Sequence, residues 1–105
     1  PCGEQPLPAT GSCLLGSMIL TQFVKNPFTS SASFDMEGFH EAVKVANRFL
    51  DNVVEMHRLP LAEYAHSLET KRRHGLGLTG FGSMMPMLGI KYGDKSSKEL
   101  IAAIM

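Results

Sequence analysis

At 105 residues and 11.5 kDa the chain is one domain at most, or part of one. Ten basic and ten acidic residues cancel to a formal net charge of zero, which leaves no electrostatic case for nucleic acid or an anionic membrane as partner. A hydrophobic content of 44% supports a core, while 19% charged residues is low for a free-standing surface and suits a piece whose faces are covered by other chain. Two cysteines are too few for a secreted disulfide framework. No apolar run approaches the roughly 20 residues that cross a bilayer, and the first residues lack the basic and apolar regions of a secretory signal. The expected setting is cytoplasmic, and no membrane partner is expected.

The chain begins Pro1-Cys2-Gly3-Glu4-Gln5-Pro6-Leu7-Pro8 and continues through Gly11-Ser12-Cys13, so two thiols and one carboxylate share a segment rich in Pro and Gly. Prolines lock φ and remove backbone donors, so this segment reads as a shaped loop that can present Cys2 and Glu4 to a small molecule. Taken alone, two cysteines in a reducing compartment are more simply read as buried or inert thiols. From Cys13 to Val24 the chain is apolar apart from a few small and polar residues. A short buried strand followed by a turn or helix is expected there. Asn26-Pro27 and the Ser/Thr cluster from Thr29 to Ser33 mark a surface connection.

Between Glu37 and Met56 the period is helical. Phe39, Val43, Ala46, Phe49, Leu50, Val53 and Val54 recur at three- and four-residue steps, with Glu41, Lys44, Asn47, Arg48 and Asp51 on the other side. Asp35 is the expected N-cap. Leu59-Pro60 ends or bends the path, because a residue before proline is pushed from helical angles. A second helix is expected over 61–71.

Gly75, Gly77 and Gly80 spell the dinucleotide fingerprint GxGxxG, but that fingerprint needs a hydrophobic strand ahead of it. Here the preceding run is the polar Glu69-Thr70-Lys71-Arg72-Arg73, so a dinucleotide-binding role is not expected. Lys71, Arg72 and Arg73 are read as a solvated helix end rather than a phosphate site. Met84, Met85 and Met87 around Pro86 read as core filling, with Pro86 kinking a helix or standing in its first turn. Gly89 is the expected helix stop, and Ser96-Ser97-Lys98-Glu99 fits a capping box before Leu100, Ile101 and Ile104. His40, His57, His66 and His74 show neither HxxxH nor HExxH spacing, and neither cysteine lies in a CxxC, so no metal site is expected.

Three blocks in order, Pro1–Leu20, Phe49-Leu50-Asp51-Asn52-Val53-Val54 and Arg72–Phe81, together resemble the large catalytic chain of ribonucleotide reductase. The likeness is greatest to its adenosylcobalamin-dependent class, and it spans most of the chain. The resemblance implies a fragment of that family's ten-stranded α/β barrel, incomplete at both ends and inactive alone. The family's motif also carries an asparagine two positions before its radical cysteine, a position that falls ahead of Pro1. The alternation of short apolar runs with helical patterns agrees with an α/β class.

What the resemblance implies for function is carried residue by residue. Cys2 falls at the cysteine that becomes a transient thiyl radical and removes the 3′ hydrogen of the substrate ribose. Glu4 falls at the carboxylate that takes the 3′-hydroxyl proton and so helps the 2′-hydroxyl leave as water. Cys13 falls at one of the two cysteines that supply reducing equivalents and end as a disulfide. The spacing of Cys2 and Cys13 fits the cobalamin-dependent pattern. Adenosylcobalamin is therefore the implied cofactor, the alternative being a metal cofactor in a separate radical-generating subunit. The implied partners are a ribonucleotide substrate, nucleotide effectors and a thioredoxin- or glutaredoxin-type reductant, in a monomer or homodimer. Two other readings stand beside this one: a small thiol redox or metal-binding module built on Cys2 and Cys13, and a packing fragment without chemistry.

Overall fold

In the computed structural model, which describes residues 6–105, strands and helices are mixed along the chain. They are β1 (Leu14–Ile19), a 3-10 turn (Leu20–Phe23), β2 (Val24–Lys25), β3 (Ser33–Phe34), α1 (Met36–Glu55), α2 (Ala62–Lys71), β4 (His74–Thr79), α3 (Phe81–Met87) and α4 (Lys95–Ile104). This is the α/β character expected; the described strands form two two-stranded sheets, β1 with β4 and β2 with β3, and close no barrel. The chain divides into two compact units. One joins the segment ending at Gly16 to Val45–Gly77, and the other joins Ser17–Lys44 to Leu78–Met105.

In the second unit, Leu20, Phe39, Met84, Met85 and Ile104 form a buried cluster, with Leu20, Met84 and Met85 wholly inaccessible. Burying each of these side chains contributes about 1.5–3 kcal/mol. Phe23, Phe34 and Phe39 meet beside it, Phe23 and Phe39 edge-to-face with ring centres 5.3 Å apart. The Asn26–Ser33 connection is the tip of an antiparallel hairpin pairing Val24 with Phe34 and Lys25 with Ser33. Asp35 caps α1 as expected: its Oδ1 accepts the Gly38 N–H at 3.1 Å. Its Oδ2 lies 2.8 Å from Lys25 Nζ, and these two contacts, Lys25 first, hold the carboxyl below its ordinary range.

The end of α3 shows why the sequence places Pro86 and Gly89 where it does. Pro86 lies in the last turn, not the first, and Gly89 follows at φ +69°. Ile90 N–H donates to Met85 C=O and Gly89 N–H to Pro86 C=O, a Schellman stop that satisfies carbonyls a continuing helix would have used. The capping box expected at Ser96 is not the device used. α4 begins at Lys95, and Ser97, from inside the first turn, donates to Asp94 C=O and accepts the Gly93 N–H. Its burial, 2% exposed, requires that both capacities of the hydroxyl be met.

The first unit has a thinner core of Leu50, Val54 and Leu68. Phe49, expected on the buried face of α1, is 65% exposed: Leu50 and Val54 take the inner stripe, and the apolar arc is narrower than the periodicity suggests. Arg72 ends α2 in the left-handed region at φ +45°. Its guanidinium reaches back to Asp51 at 2.7 Å and to Glu55 on α1, and the two carboxylates raise an already strong base further. The basic run is thus not a plain solvated end: Lys71 is exposed, Arg72 is tied to α1, and Arg73 is half-buried.

Candidate active site

Cys2 and Glu4 lie outside the described residues, so the site is built from Cys13 and what surrounds it. Cys13 immediately precedes β1, is half-buried and is unpaired, and its thiol points to the Leu14 carbonyl at 3.4 Å. The partner strand fixes its neighbours. Leu14 N–H donates to Arg73 C=O at 3.1 Å, which sets the start of β1 beside the start of β4. Only parallel strands meet start to start. In such a pair a residue donates to the one before its lateral neighbour, so Leu14 stands beside His74 and Cys13 beside Arg73. The surroundings of two glycines agree with that register. A Cβ on Gly16 would meet Leu76 at 3.2 Å, and a Cβ on Gly75 would meet Leu15 at 3.6 Å.

Alternation along the strands then sorts the side chains. Gly16 looks toward Leu50 of α1, so even-numbered positions on both strands face the helix. Odd-numbered positions face the other way: Cys13, Leu15, Ser17 and Ile19 on β1, and Arg73, Gly75, Gly77 and Thr79 on the β4 side. Leu15 is 54% exposed and Ile19 51%, an apolar open face on a strand expected to be buried. Glycines on that face leave the backbone approachable, without tight packing against it: a Cβ on Gly75 would stand at ordinary contact distance from Leu15, and Gly77 is exposed. They are not a phosphate loop, since Gly75 and Gly77 lie inside β4 and Gly80, at φ +81°, turns the chain into α3.

Two polar atoms at the start of β4 are unusual. Arg73 Nη1 and His74 Nδ1 are both buried without a hydrogen-bond partner among the described residues. Leaving such a group unpaired costs about 1–3 kcal/mol, more if charged, so each marks a place where a partner is owed. By alternation Arg73 belongs to the Cys13 face and His74 to the helix face. Sequence reasoning missed Arg73 because a basic run after a helix reads as solvated. The register that pairs it with Cys13 depends on contacts about sixty residues apart in sequence.

An open groove of about 670 Å³ lies elsewhere in the same unit, between Pro8-Ala9-Thr10 and the α2 residues Ala62, His66 and Thr70. Cys13 does not line it, and its walls carry the hydroxyls of Thr10, Ser67 and Thr70 beside His66 and Lys71. Among the described residues no three His, Cys, Asp or Glu side chains are grouped to hold a metal ion. No helix among them is long and apolar enough to cross a membrane.

Comparison with known proteins places the chain in a family. The family model described as "Ribonucleotide reductase, barrel domain" matches residues 1–105. Vitamin B12-dependent ribonucleoside-diphosphate reductase of Thermoplasma acidophilum is 34% identical over 105 residues, and the protein of the same name from Mycobacterium tuberculosis is 33% identical; all of this chain is covered in both. Ribonucleoside-diphosphate reductase subunit alpha of Chlamydia pneumoniae is 32% identical over 90 residues, 86% of the chain. The chain spans 13% and 14% of the two B12-dependent relatives and 8% of the chlamydial one. With the whole of its length matched, the chain belongs to the ribonucleotide reductase barrel-domain family.

Proposed function

We propose that this chain is the part of a ribonucleotide reductase that carries the radical cysteine and one of the two reducing cysteines, in a protein that converts ribonucleotides to 2′-deoxyribonucleotides. The observation that carries the reading is Cys13 on the open face of a parallel strand pair, eleven residues after Cys2, in a chain matched over its whole length by the family. In α/β barrels the inward side chains of the strands line the centre, and the open face of β1 and β4 is suited to that position.

The chemistry assigns each residue a task. The Cys2 sulfur, as a thiyl radical, takes the 3′ hydrogen, a step that depends on holding sulfur near one C–H bond. Glu4 accepts the 3′-hydroxyl proton as general base, and the 2′-hydroxyl departs as water. Cys13 and a second cysteine elsewhere in the polypeptide give up two electrons and two protons and close a disulfide, so ribonucleotide and two thiols become deoxyribonucleotide, disulfide and water. A dithiol protein of the thioredoxin or glutaredoxin type then restores the thiols, in keeping with a cytoplasmic setting.

Adenosylcobalamin is the proposed cofactor, and its contribution is generation of the radical on Cys2. The described residues gather no cluster of His, Cys, Asp or Glu that could hold its cobalt. B12-dependent relatives match 99–100% of this chain where the subunit-alpha relatives match 86%, and this favours the cobalamin class over one with a separate radical-generating subunit. Nucleotide effectors and a homodimer remain part of the proposal for the intact protein.

The test is reduction of a ribonucleoside diphosphate by the full-length protein, with and without adenosylcobalamin, for wild type, Cys2→Ala and Glu4→Gln. Cobalamin-dependent product in the wild type, none from Cys2→Ala and a loss of about 10²–10⁴-fold from Glu4→Gln are expected, the last being the usual worth of a positioned base. Product that persists without Cys2 sinks the radical assignment and leaves a shared fold.

A further inference from the structure

We propose that Arg73 is a positioning residue for Cys13, its guanidinium placed to receive the negative charge that develops on the Cys13 sulfur when the disulfide formed in turnover is reduced. The inference rests on the reading of Cys13 given above and adds a residue to it. Two independent observations carry it. The β1–β4 register, set by the Leu14-to-Arg73 hydrogen bond and matched by the nearness of Leu76 to Gly16 and of Leu15 to Gly75, puts the Arg73 backbone position beside that of Cys13, on the same face by alternation. Arg73 Nη1 is buried and donates to nothing among the described residues.

The neighbouring charges explain why Arg73 is left available. The adjacent arginine, Arg72, takes both nearby α1 carboxylates, Asp51 and Glu55. Lys71 is exposed at the end of α2. A donor on the strand position next to a thiol, with no acceptor among the described residues, is preorganised for charge that appears only during reaction, where such donors act most strongly.

The step balances as ordinary thiol–disulfide exchange. A thiolate of a dithiol reductant attacks the sulfur bonded to Cys13, and a new S–S bond forms to the reductant. The old S–S bond breaks with its electron pair leaving on Cys13. The Arg73 N–H donates to that sulfur until a solvent proton arrives. The second thiol of the reductant then closes its own disulfide, and two electrons have passed from reductant to enzyme.

The experiment follows this half-reaction alone, in the full-length protein. One turnover on a ribonucleoside diphosphate without reductant oxidises Cys13; dithiothreitol is then added, and the return of the Cys13 thiol is timed by alkylation and mass spectrometry. Arg73→Gln is expected to slow the return roughly tenfold, the worth of one hydrogen bond to a charged group. Arg73→Lys, which keeps the charge and loses the fork, is expected to restore most of that rate. Return in Arg73→Gln at the wild-type rate overturns the proposal. So does Arg73→Lys as slow as Arg73→Gln, which would mean the side chain serves only packing. If wild-type Cys13 is never oxidised by turnover, the functional reading itself fails, and that failure is visible before Arg73 is varied.

Discussion

The unit formed by Ser17–Lys44 and Leu78–Met105 supplies its own core, with Leu20, Met84 and Met85 sealed from solvent and helix ends closed by Asp35, Ser97 and Gly89. The unit that contains Cys13 does the opposite. Its core is three side chains, Leu15 on its strand segment is 54% exposed, and it leaves two buried polar atoms unpaired among the described residues. Consistent packing is the mark of a segment selected to be stable, and local inconsistency is expected where function is built. The second unit thus reads as support, and the first as the place where chemistry and further chain belong.

Mutations can break that comparison. Met84→Ala, in the sealed core, is expected to destabilise by about 2–5 kcal/mol in urea unfolding, while Met84→Leu changes it by less than about 1.5 kcal/mol. Gly80→Ala comes next: φ is +81° and the new Cβ would stand 3.4 Å from Thr21 Cγ2, so a loss of about 1–2 kcal/mol is expected. Gly82→Ala, inside α3 with nothing within 4 Å, is the opposite control and is expected to gain about 0.5–1 kcal/mol in the same assay. Arg72→Ala removes the tie to Asp51 and Glu55, and a small loss of stability that fades at high salt is expected because the groups are partly exposed.

The smallest effect is a pH dependence at Asp35. Lys25 and the Gly38 N–H lower its folded carboxyl pKa, so its stabilising contribution is present above the unfolded value and is lost as pH falls through the lower folded one. In acid titrations below about pH 4, the ordinary carboxylate range, Asp35→Asn is expected to remove a small part of the stability change. An unchanged acid limb would show that the cap contributes no linkage.

Local grammar explains why much of this was legible in the sequence. α1 followed from three- and four-residue spacing and the Asp35 cap, α2 from the break at Leu59-Pro60, and the α3 stop from Gly89. Contacts distant in sequence were not legible. The β2–β3 hairpin has only two residues on each strand and no period to detect. Phe49 matches the helical spacing of its buried neighbours, and only tertiary packing leaves it outside. Arg72 and Arg73 look alike in the sequence, yet one is tied to α1 and the other stands beside Cys13. The family likeness was carried by Cys2, Glu4, Cys13 and the glycine-rich block, whose chemistry depends on residue identity rather than on period.

The most direct test of the account is to incubate the full-length protein, pre-reduced, with a ribonucleoside diphosphate and adenosylcobalamin but no external reductant, and then alkylate and locate the remaining thiols. Loss of the Cys13 thiol in step with deoxynucleotide formed, with Cys13 recovered in a disulfide, is the expected result. Deoxynucleotide formed while Cys13 stays fully alkylatable would contradict the account, because the electrons would then come from elsewhere.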